Sequence, residues 1–280
     1  MDPENNSAFV STLSEQFVYL IYIIDYSLSA CLLLKDNTNR NIQIIEDRIM
    51  IHDIVNVASA MNRKIIQMDH TTNNLANAST PGFKAEHLRA LQALGADGET
   101  PAETIVDFSR GPAEMTGNAL DINIEGDGFF VVQTNEGLAF TRKGDFTIDR
   151  ENRLVTQDGA PVMGEGGAIT LSKGKVHVSR DGSVMVDADV VGKLRIVDFD
   201  NRTALTRTEN VMYRDSGSAG MKPSPGMELA SGYLERSNVN VIREMVEMIE
   251  INRSFEYYQK IIHTLTEMDK MSVSRIGRLI

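Results

Sequence analysis

The chain has 280 residues, of which 42% are apolar and 24% are charged, and its formal net charge is −11. This composition is close to the globular average and excludes a disordered or collagen-like chain, and the length suits one large domain or two ordinary ones. An acidic chain is not expected to coat nucleic acid or an anionic membrane, because phosphate binding needs clustered lysine and arginine. The single cysteine, Cys31, allows no internal disulfide, and neither cysteine nor histidine has the spacing of a metal site. We therefore predict no metal site and no cofactor.

Residues 1–49 differ from the rest of the chain. Phe17 to Leu34 form an apolar segment with one charge, Asp25, and its length is near the lower limit of a membrane span. It lacks the basic flank and the small-residue cleavage site of a secretory signal. A membrane anchor is one interpretation. The other, which we favour, is that residues 1–49 are an extension outside the mature protein, which would then start at Met50.

A helix is predicted from about Ile51 to near Ala78. Apolar or small residues recur there at alternating steps of three and four, the a/d spacing of a coiled-coil seam. The residues of this seam are Ile51, Ile54, Ala58, Met61, Ile65, Met68, Thr72 and Leu75. The spacing fails before Met50, where charged residues fall on the seam. Pro81 and Gly82 end the helix, since proline disfavours helix at the residue before it and glycine permits a turn.

The middle of the chain is predicted to be a β-domain between two linkers. Residues 85–118 are rich in glycine and proline, and we expect an extended linker with one short helix at Glu86–Leu94. Over residues 119–200, short apolar runs are separated by turn residues at intervals of about 8–12 residues, which favours an antiparallel sandwich or barrel. Residues 201–235 lose this pattern, and we expect a second extended linker there.

The helical period returns near the C-terminal end, where a helix of about 30 residues is predicted with Asn238 or Asn240 as its cap. Its seam consists of Val241, Met245, Met248, Ile251, Phe255, Tyr258, Ile262, Leu265 and Met268. If the linkers hold the helices away from the β-domain, the two seams must pair with each other or with copies from other chains. Two ordinary surface helices on one globule are the alternative.

The predicted fold class is therefore α+β, with the terminal helices pairing as a coiled coil and a central antiparallel all-β domain. The inner coiled-coil domain would comprise residues 50–84 and 236–280.

Motifs of catalysis are absent from the sequence. Gly126–Gly128 lacks the continuation of a dinucleotide-binding loop, and no phosphate loop, nucleophile elbow or zinc-protease motif is present. The carboxylates at Asp149 and Glu151, and at Asp198 and Asp200, do not follow the EF-hand pattern and are typical of solvated turns. We therefore predict that the chain is not an enzyme, and an enzyme site assembled from turns is the weakest hypothesis.

Four blocks of the sequence resemble one known family. They are NNLANASTPGFK from residue 73, GNALDINIEGDGFFVV from 117, FTRKGDFTIDRENRLVTQDGAPVMG from 140 and GYLERSNVNVIREMVEMIEINRSF from 232. In this order and at this spacing they are similar to the bacterial flagellar basal-body rod and hook proteins, and the resemblance spans residues 50–280. The turn of the family motif corresponds here to Asn73, Asn74, Leu75, Asn77, Thr80, Pro81, Gly82 and Phe83.

The resemblance implies a structural subunit of the flagellar rod. In that family the terminal helices form an inner tube of coiled coils, so the two seams would be assembly seams in part of the axial drive shaft. The implied partners are other rod subunits, copies of the chain itself and the flagellar type III export apparatus, but neither nucleic acid nor a small-molecule substrate. The implied location is the periplasmic rod of the basal body, reached without a cleaved signal peptide.

Size separates the members of the family. The chain leaves no room for the extra outer domain of hook proteins, whereas the smallest rod subunits lack the β-domain predicted here. The ending Ser274–Leu279 is more similar to the proximal rod protein than to the distal one. A distal rod or hook-type subunit is the alternative within the family, and a membrane-tethered β-domain binding module, anchored through 17–34, is the alternative from another class.

Overall fold

The computed structural model describes residues 39–90, 102–187, 189–224 and 227–276 of the chain, and most of the side chains between Ile54 and Met271. The apolar segment 17–34 and the rest of residues 1–38 lie outside the described residues, whereas 39–49 belong to the first helix. Among the described helices, none combines the length and the hydropathy that a membrane span requires.

Two long helices flank an antiparallel β region, which confirms the predicted fold class. Helix α1 spans Asn39–Ala76 and helix α2 spans Val241–Ile276. The strands described between them are β1 (Glu86–Ala90), β2 (Ala102–Val106), β3 (Ala113–Met115), β4 (Ile122–Glu125), β5 (Phe129–Thr134), β6 (Gly137–Thr141), β7 (Thr147–Ile148), β8 (Leu154–Val155), β9 (Met163–Gly164), β10 (Gly167–Ala168), β11 (Val176–Val178), β12 (Ser183–Val186), β13 (Asp189–Lys193), β14 (Ile196–Phe199), β15 (Leu205–Arg207), β16 (Met212–Asp215), β17 (Met221–Pro223), β18 (Glu228–Ser231) and β19 (Tyr233–Glu235).

Helix α1 begins earlier than the seam predicts. It is already helical at Asn39, the first described residue, rather than from near Ile51, and it ends at Ala76, close to the predicted Ala78. Residues 39–50 contain neither proline nor glycine, so nothing in them breaks a helix even though the coiled-coil spacing is lost. The coiled-coil spacing therefore identifies the apolar face of the helix, but the position where the spacing is lost is not the start of the helix.

The short helix predicted at Glu86–Leu94 is wrong over the described part of that range. Residues 86–90 form β1, which pairs antiparallel with β2. The backbone of Glu86 is held extended by Asn74, whose side chain accepts from the Glu86 N–H at 2.9 Å and donates to the Glu86 carbonyl at 2.8 Å. A contact across twelve residues of sequence therefore overrides the local preference.

The segment predicted as the second extended linker, 201–235, contributes strands to the sheets. The main sheet has the order β15-β16-β6-β5-β14-β17, while β18 pairs with β4 and β19 pairs with β3. Tyr213 and Leu229 from this segment are almost fully buried. Pro223 lies in β17 at the edge of the sheet, where a residue without an N–H is tolerated.

Strand β5 lies between two hydrophobic cores. Phe130 and Val132 belong to the larger core, whereas Phe129 and Val131 belong to a smaller one that also contains Tyr213. Successive side chains of a strand point to opposite faces, so a strand buried on both faces reads as a continuous apolar run. The run FFVV in β5 has this property and places the strand at the centre of the β region.

The chain divides into two compact units. Of the described residues, one unit comprises 39–62 with 255–276, and the other comprises those within 63–254. The second unit contains the β region with the adjoining parts of both helices. Within it α1 and α2 are in contact, because Gln67 Nε2 donates to Glu247 Oε1 at 2.6 Å and Asn74 Nδ2 donates to Glu244 Oε2 at 3.2 Å.

Candidate functional site

The turn after α1 is closed by its own side chains. Asn77 Nδ2 donates to the Asn73 carbonyl at 2.9 Å and to Asn73 Oδ1 at 2.7 Å. Thr80 Oγ1 in turn donates to Asn77 Oδ1 at 3.2 Å. The Asn77 amide thus bonds a carbonyl at the end of the helix, and the Thr80 hydroxyl holds the Asn77 side chain in place. The chain therefore leaves α1 in a fixed direction.

Gly82 is the point where this turn meets the β region. Its φ is +67°, and a Cβ atom there would lie 2.5 Å from the backbone nitrogen of Lys143. Its N–H donates to the Glu235 carbonyl at 2.7 Å. Glycine is required twice over, by the left-handed conformation and by the close approach of another backbone. The sequence predicts a turn here, and the structure shows a tightly packed contact.

Phe83 is fully buried within its own chain. The guanidinium of Arg207 lies 4.1 Å from the centroid of the Phe83 ring, a cation–π contact. Arg207 Nη1 is also 3.0 Å from Glu86 Oε1, so the guanidinium is held from two sides.

A buried ion cluster follows Phe83, and sequence reasoning missed it. Lys84 Nζ donates to Glu235 Oε1 and, at 2.6 Å, to the Ser109 carbonyl, while Arg142 Nε lies 3.4 Å from Glu235 Oε2. The Lys84, Arg142 and Glu235 side chains are each at most 3% exposed. Burial lowers the pKa of Lys84 and that of Arg142, and the nearby Glu235 carboxylate opposes both shifts. The only signal in the sequence is that all three residues fall inside the family-like blocks.

Two asparagines link separate segments of the chain at this turn. Asn74, which is almost fully buried, binds Glu86 of β1 and Glu244 of α2. Asn238 accepts from the Ala85 N–H at 2.8 Å and donates to the Asp107 carbonyl at 2.8 Å. We call the set of Asn74, Gly82, Phe83, Lys84, Arg142, Glu235 and Asn238 the junction.

The cap of α2 is Asn240. Its Oδ1 accepts from the Arg243 N–H at 3.1 Å, which is the interaction expected of an N-cap asparagine. Of the two predicted candidates, Asn240 therefore caps the helix. Asn238 instead binds Ala85, which precedes β1, and Asp107, which follows β2.

The predicted seam residues differ in their exposure. Met61 and Ile251 are buried. The half-buried members are Ile54, Ala58, Ile65, Met68, Thr72, Leu75, Met248, Phe255, Tyr258, Ile262 and Leu265, and the exposed ones are Val241, Met245 and Met268. The side chain of Ile51 lies outside the described side chains. Their role as assembly seams stays a prediction.

Helix α2 carries a second apolar face that sequence reasoning missed. Ile242 is 76% exposed, and its neighbours on this face are at least 38% exposed. The residues of this face, which we call the outer stripe, are Val241, Ile242, Met245, Val246 and Ile249. Ile242, Met245, Val246 and Ile249 follow the helical spacing of one face. The sequence contains this signal, but a search for a single a/d seam assigns only Val241 and Met245.

The titratable side chains near the junction are either paired with other side chains or buried. His70 Nε2 lies 3.0 Å from Thr104 Oγ1, and its Nδ1 lies 3.5 Å from Glu86. Burial raises the pKa of the Tyr213 hydroxyl well above its usual range. Among the described residues, no three His, Cys, Asp or Glu side chains are grouped so that they could hold a metal ion.

Three family models match the chain in order. Residues 55–84 match "Flagella basal body rod protein", residues 123–186 match "Flagellar hook protein FlgE/F/G D1 domain", and residues 230–275 match "Flagellar basal body rod FlgEFG protein C-terminal". The first match contains the junction residues from Asn74 to Lys84, and the third contains Glu235 and Asn238.

Curated relatives agree with these matches. The chain is 36% identical over 227 residues to the flagellar basal-body rod protein FlgF of Caulobacter vibrioides, covering 76% of this chain and 93% of the relative. It is 32% identical to FlgF of Salmonella typhimurium (78% of this chain, 95% of the relative) and 33% identical to FlgG of Bacillus subtilis (78% and 97%). The chain therefore belongs to the flagellar basal-body rod FlgE/F/G family of structural, non-enzymatic proteins.

Proposed function

We propose that the chain is a structural subunit of the flagellar rod that polymerises through α1 and α2 and forms part of the axial drive shaft. The observation that carries this proposal is the outer stripe. Five neighbouring apolar side chains are exposed on α2 directly after the buried junction. Exposed apolar patches of this kind mark interaction surfaces, and burying them releases about 25 cal/mol per Å² of apolar surface. The partners would be copies of the chain and other rod subunits.

Within the family we propose the proximal type, FlgF. Of the three relatives named above, the highest identity, 36%, is to a FlgF, and this supports the choice, while the other FlgF and the FlgG are level at 32% and 33%. A distal rod or hook-type subunit is the alternative, and the assembly surface proposed here would serve it equally.

We further propose export through the flagellar type III apparatus to the periplasmic rod, without a cleaved signal peptide. This step follows from the family and not from the geometry. It is compatible with the outer stripe, since a helix with an uncovered apolar face becomes fully ordered when a partner covers it.

The substitution Ile242→Asp in the full chain tests the proposal. The side chain is mostly exposed, so the single chain should fold, but an aspartate would be buried without a partner in the assembly. In a strain that depends on this gene, we expect basal bodies without a complete rod in electron micrographs and loss of swimming. The matched control is Val190→Asp, which changes a 64% exposed valine on β13 and should leave rods intact. Complete rods with Ile242→Asp would contradict the proposal.

A further inference from the structure

A cavity of about 370 Å³ opens beside the turn that ends α1. Its wall is formed by that turn, by Lys143 after β6, by the turn at Asp158 and by the loop between β15 and β16. The lining is mostly polar and includes Asn73, Asn77, Thr80, Lys143, Asp158 and Arg207. Neither the family matches nor the proposed polymerisation through the helices assigns a role to it.

The cavity has more hydrogen-bond donors than its own acceptors use. The Lys143 ammonium has three donors and one carboxylate partner, Asp145, at 3.5 Å. The Arg207 guanidinium has five donors and one carboxylate partner, Glu86. In the described part of the chain, the amide nitrogen of Asn73 donates to no protein acceptor. Because Lys143 and Arg207 are cations with unused hydrogen-bond donors, the cavity should bind a hydrogen-bond acceptor that carries negative charge.

The opposite wall is held in a strained conformation. Asn210 and Val211 have φ angles of 59° and 60°, the left-handed region that a β-branched residue rarely adopts. The Val211 carbonyl accepts from Thr141 Oγ1 at 2.9 Å, which fixes the loop against β6. Strain that the surrounding structure maintains is common at ligand sites. The cavity is therefore a preformed shape and not a gap between loose side chains.

We propose that this cavity binds a carboxylate side chain of a neighbouring copy of the chain, between Lys143 and Arg207. Charge complementarity identifies the occupant. The chain carries 39 acidic and 28 basic residues, so copies that pack together bring carboxylates against each other and need cations at the contact. Asp158 lies exposed on the same wall and limits the positive charge, which suits one incoming carboxylate. The proposal rests on the assembly function.

Zero-length cross-linking tests the proposal on isolated basal bodies assembled from a mixture of isotopically light and heavy copies. A water-soluble carbodiimide joins an amine to a carboxylate only where the two are in contact. We expect an amide between Lys143 of one copy and an aspartate or glutamate of another, identified as a mixed light–heavy peptide pair. The link should vanish with Lys143→Gln and persist with Lys175→Gln, which changes an exposed lysine away from the cavity.

Three outcomes would overturn the proposal: Lys143 linked only to Asp145 of its own chain, Lys143 linked only to a different rod protein, or no Lys143 link. A second measurement is the salt concentration at which basal bodies dissociate, since salt screens an ion pair. We expect Lys143→Gln to lower it and Asp158→Asn to raise it, and the reverse order would also overturn the proposal. In all these variants the rods still form, so failure here is distinguishable from failure of the outer stripe.

Discussion

The junction and the outer stripe differ in what they bury. In the junction, the charged side chains of Lys84, Arg142 and Glu235 are almost fully buried and bind one another, whereas the outer stripe exposes five apolar side chains on a helix that begins a few residues later. A monomeric protein would normally bury the apolar groups first. The difference shows that the contacts of the junction are complete within one chain, whereas the outer stripe is uncovered in the single chain and, under the proposed function, would be covered by a partner.

The largest effect is expected from breaking the junction with Glu235→Ala. The variant leaves Lys84 and Arg142 buried without their carboxylate, and breaking a buried pair costs about 3–5 kcal/mol of the free energy of unfolding. Urea denaturation followed by circular dichroism measures the loss. The control is Glu114→Ala, whose half-exposed pair with Arg236 should contribute less than about 1 kcal/mol. Equal losses in the two variants would show that the buried cluster is not what holds the junction.

A smaller loss is expected from Gly82→Ala. The left-handed conformation alone costs about 1–2 kcal/mol in an alanine, and the Cβ would also collide with the backbone of Lys143. Gly159→Ala is the matched control, since its φ is +83° but no atom lies within 4 Å of the added Cβ. The difference between the two free energies of unfolding isolates the collision. If the two losses are the same, the close approach at Gly82 is not essential to the junction.

The sequence predicts those parts of the fold that are encoded by a local period. The helices follow from steps of three and four, and the strands between 119 and 200 follow from apolar runs between turns. The strand at Glu86 could not be predicted in this way, because Asn74 from another element holds its backbone. The strands of 201–235 could not be predicted because the segment is rich in glycine and proline. Among the described residues, these lie mostly in turns and at a sheet edge.

The candidate site was predictable to a lesser degree. The motif turn was located from the residues around Pro81. That the helix ends there follows from the backbone sterics of proline. The ion cluster could not be located from the sequence, because Lys84 and Glu235 are 151 positions apart and each alone resembles a solvated surface charge. The outer stripe was missed for a different reason. A helix with two apolar faces matches the a/d spacing along either face, so identifying one seam leaves the other face unnoticed.

A change near zero is expected from Tyr213→Phe. The Tyr213 hydroxyl is buried and, among the described residues, has no hydrogen-bond partner. Its removal loses no bond, so the free energy of unfolding should stay the same or rise by up to about 1 kcal/mol. Thr141→Val is the contrast, since Thr141 Oγ1 donates to the Val211 carbonyl and its loss should cost about 1 kcal/mol. A clear destabilisation by Tyr213→Phe would mean that the hydroxyl has a partner.

The last prediction concerns how the stability depends on pH at Asp145, close to the junction residue Arg142 in the sequence. Burial raises the pKa of Asp145 above its usual 3.8, and the nearby Lys143 only partly offsets this. The folded state therefore holds the proton more tightly than the unfolded state, and this carboxyl lowers stability as pH rises from 3.8 through its folded pKa. Asp145→Asn should remove that part of the pH dependence in denaturation curves. A variant whose pH profile is unchanged would contradict the burial of this carboxyl.

Hydroxyl-radical footprinting of the outer stripe tests the central claim most directly. Met245 is 50% exposed in the single chain, and Met221 on the edge strand β17 is 44% exposed. The oxidation of both methionines is measured by mass spectrometry in the free chain and in purified basal bodies. We predict that Met245 is protected in the assembled rod while Met221 is oxidised in both samples. If Met245 is oxidised as fast in the rod as in the free chain, α2 does not assemble through its outer stripe.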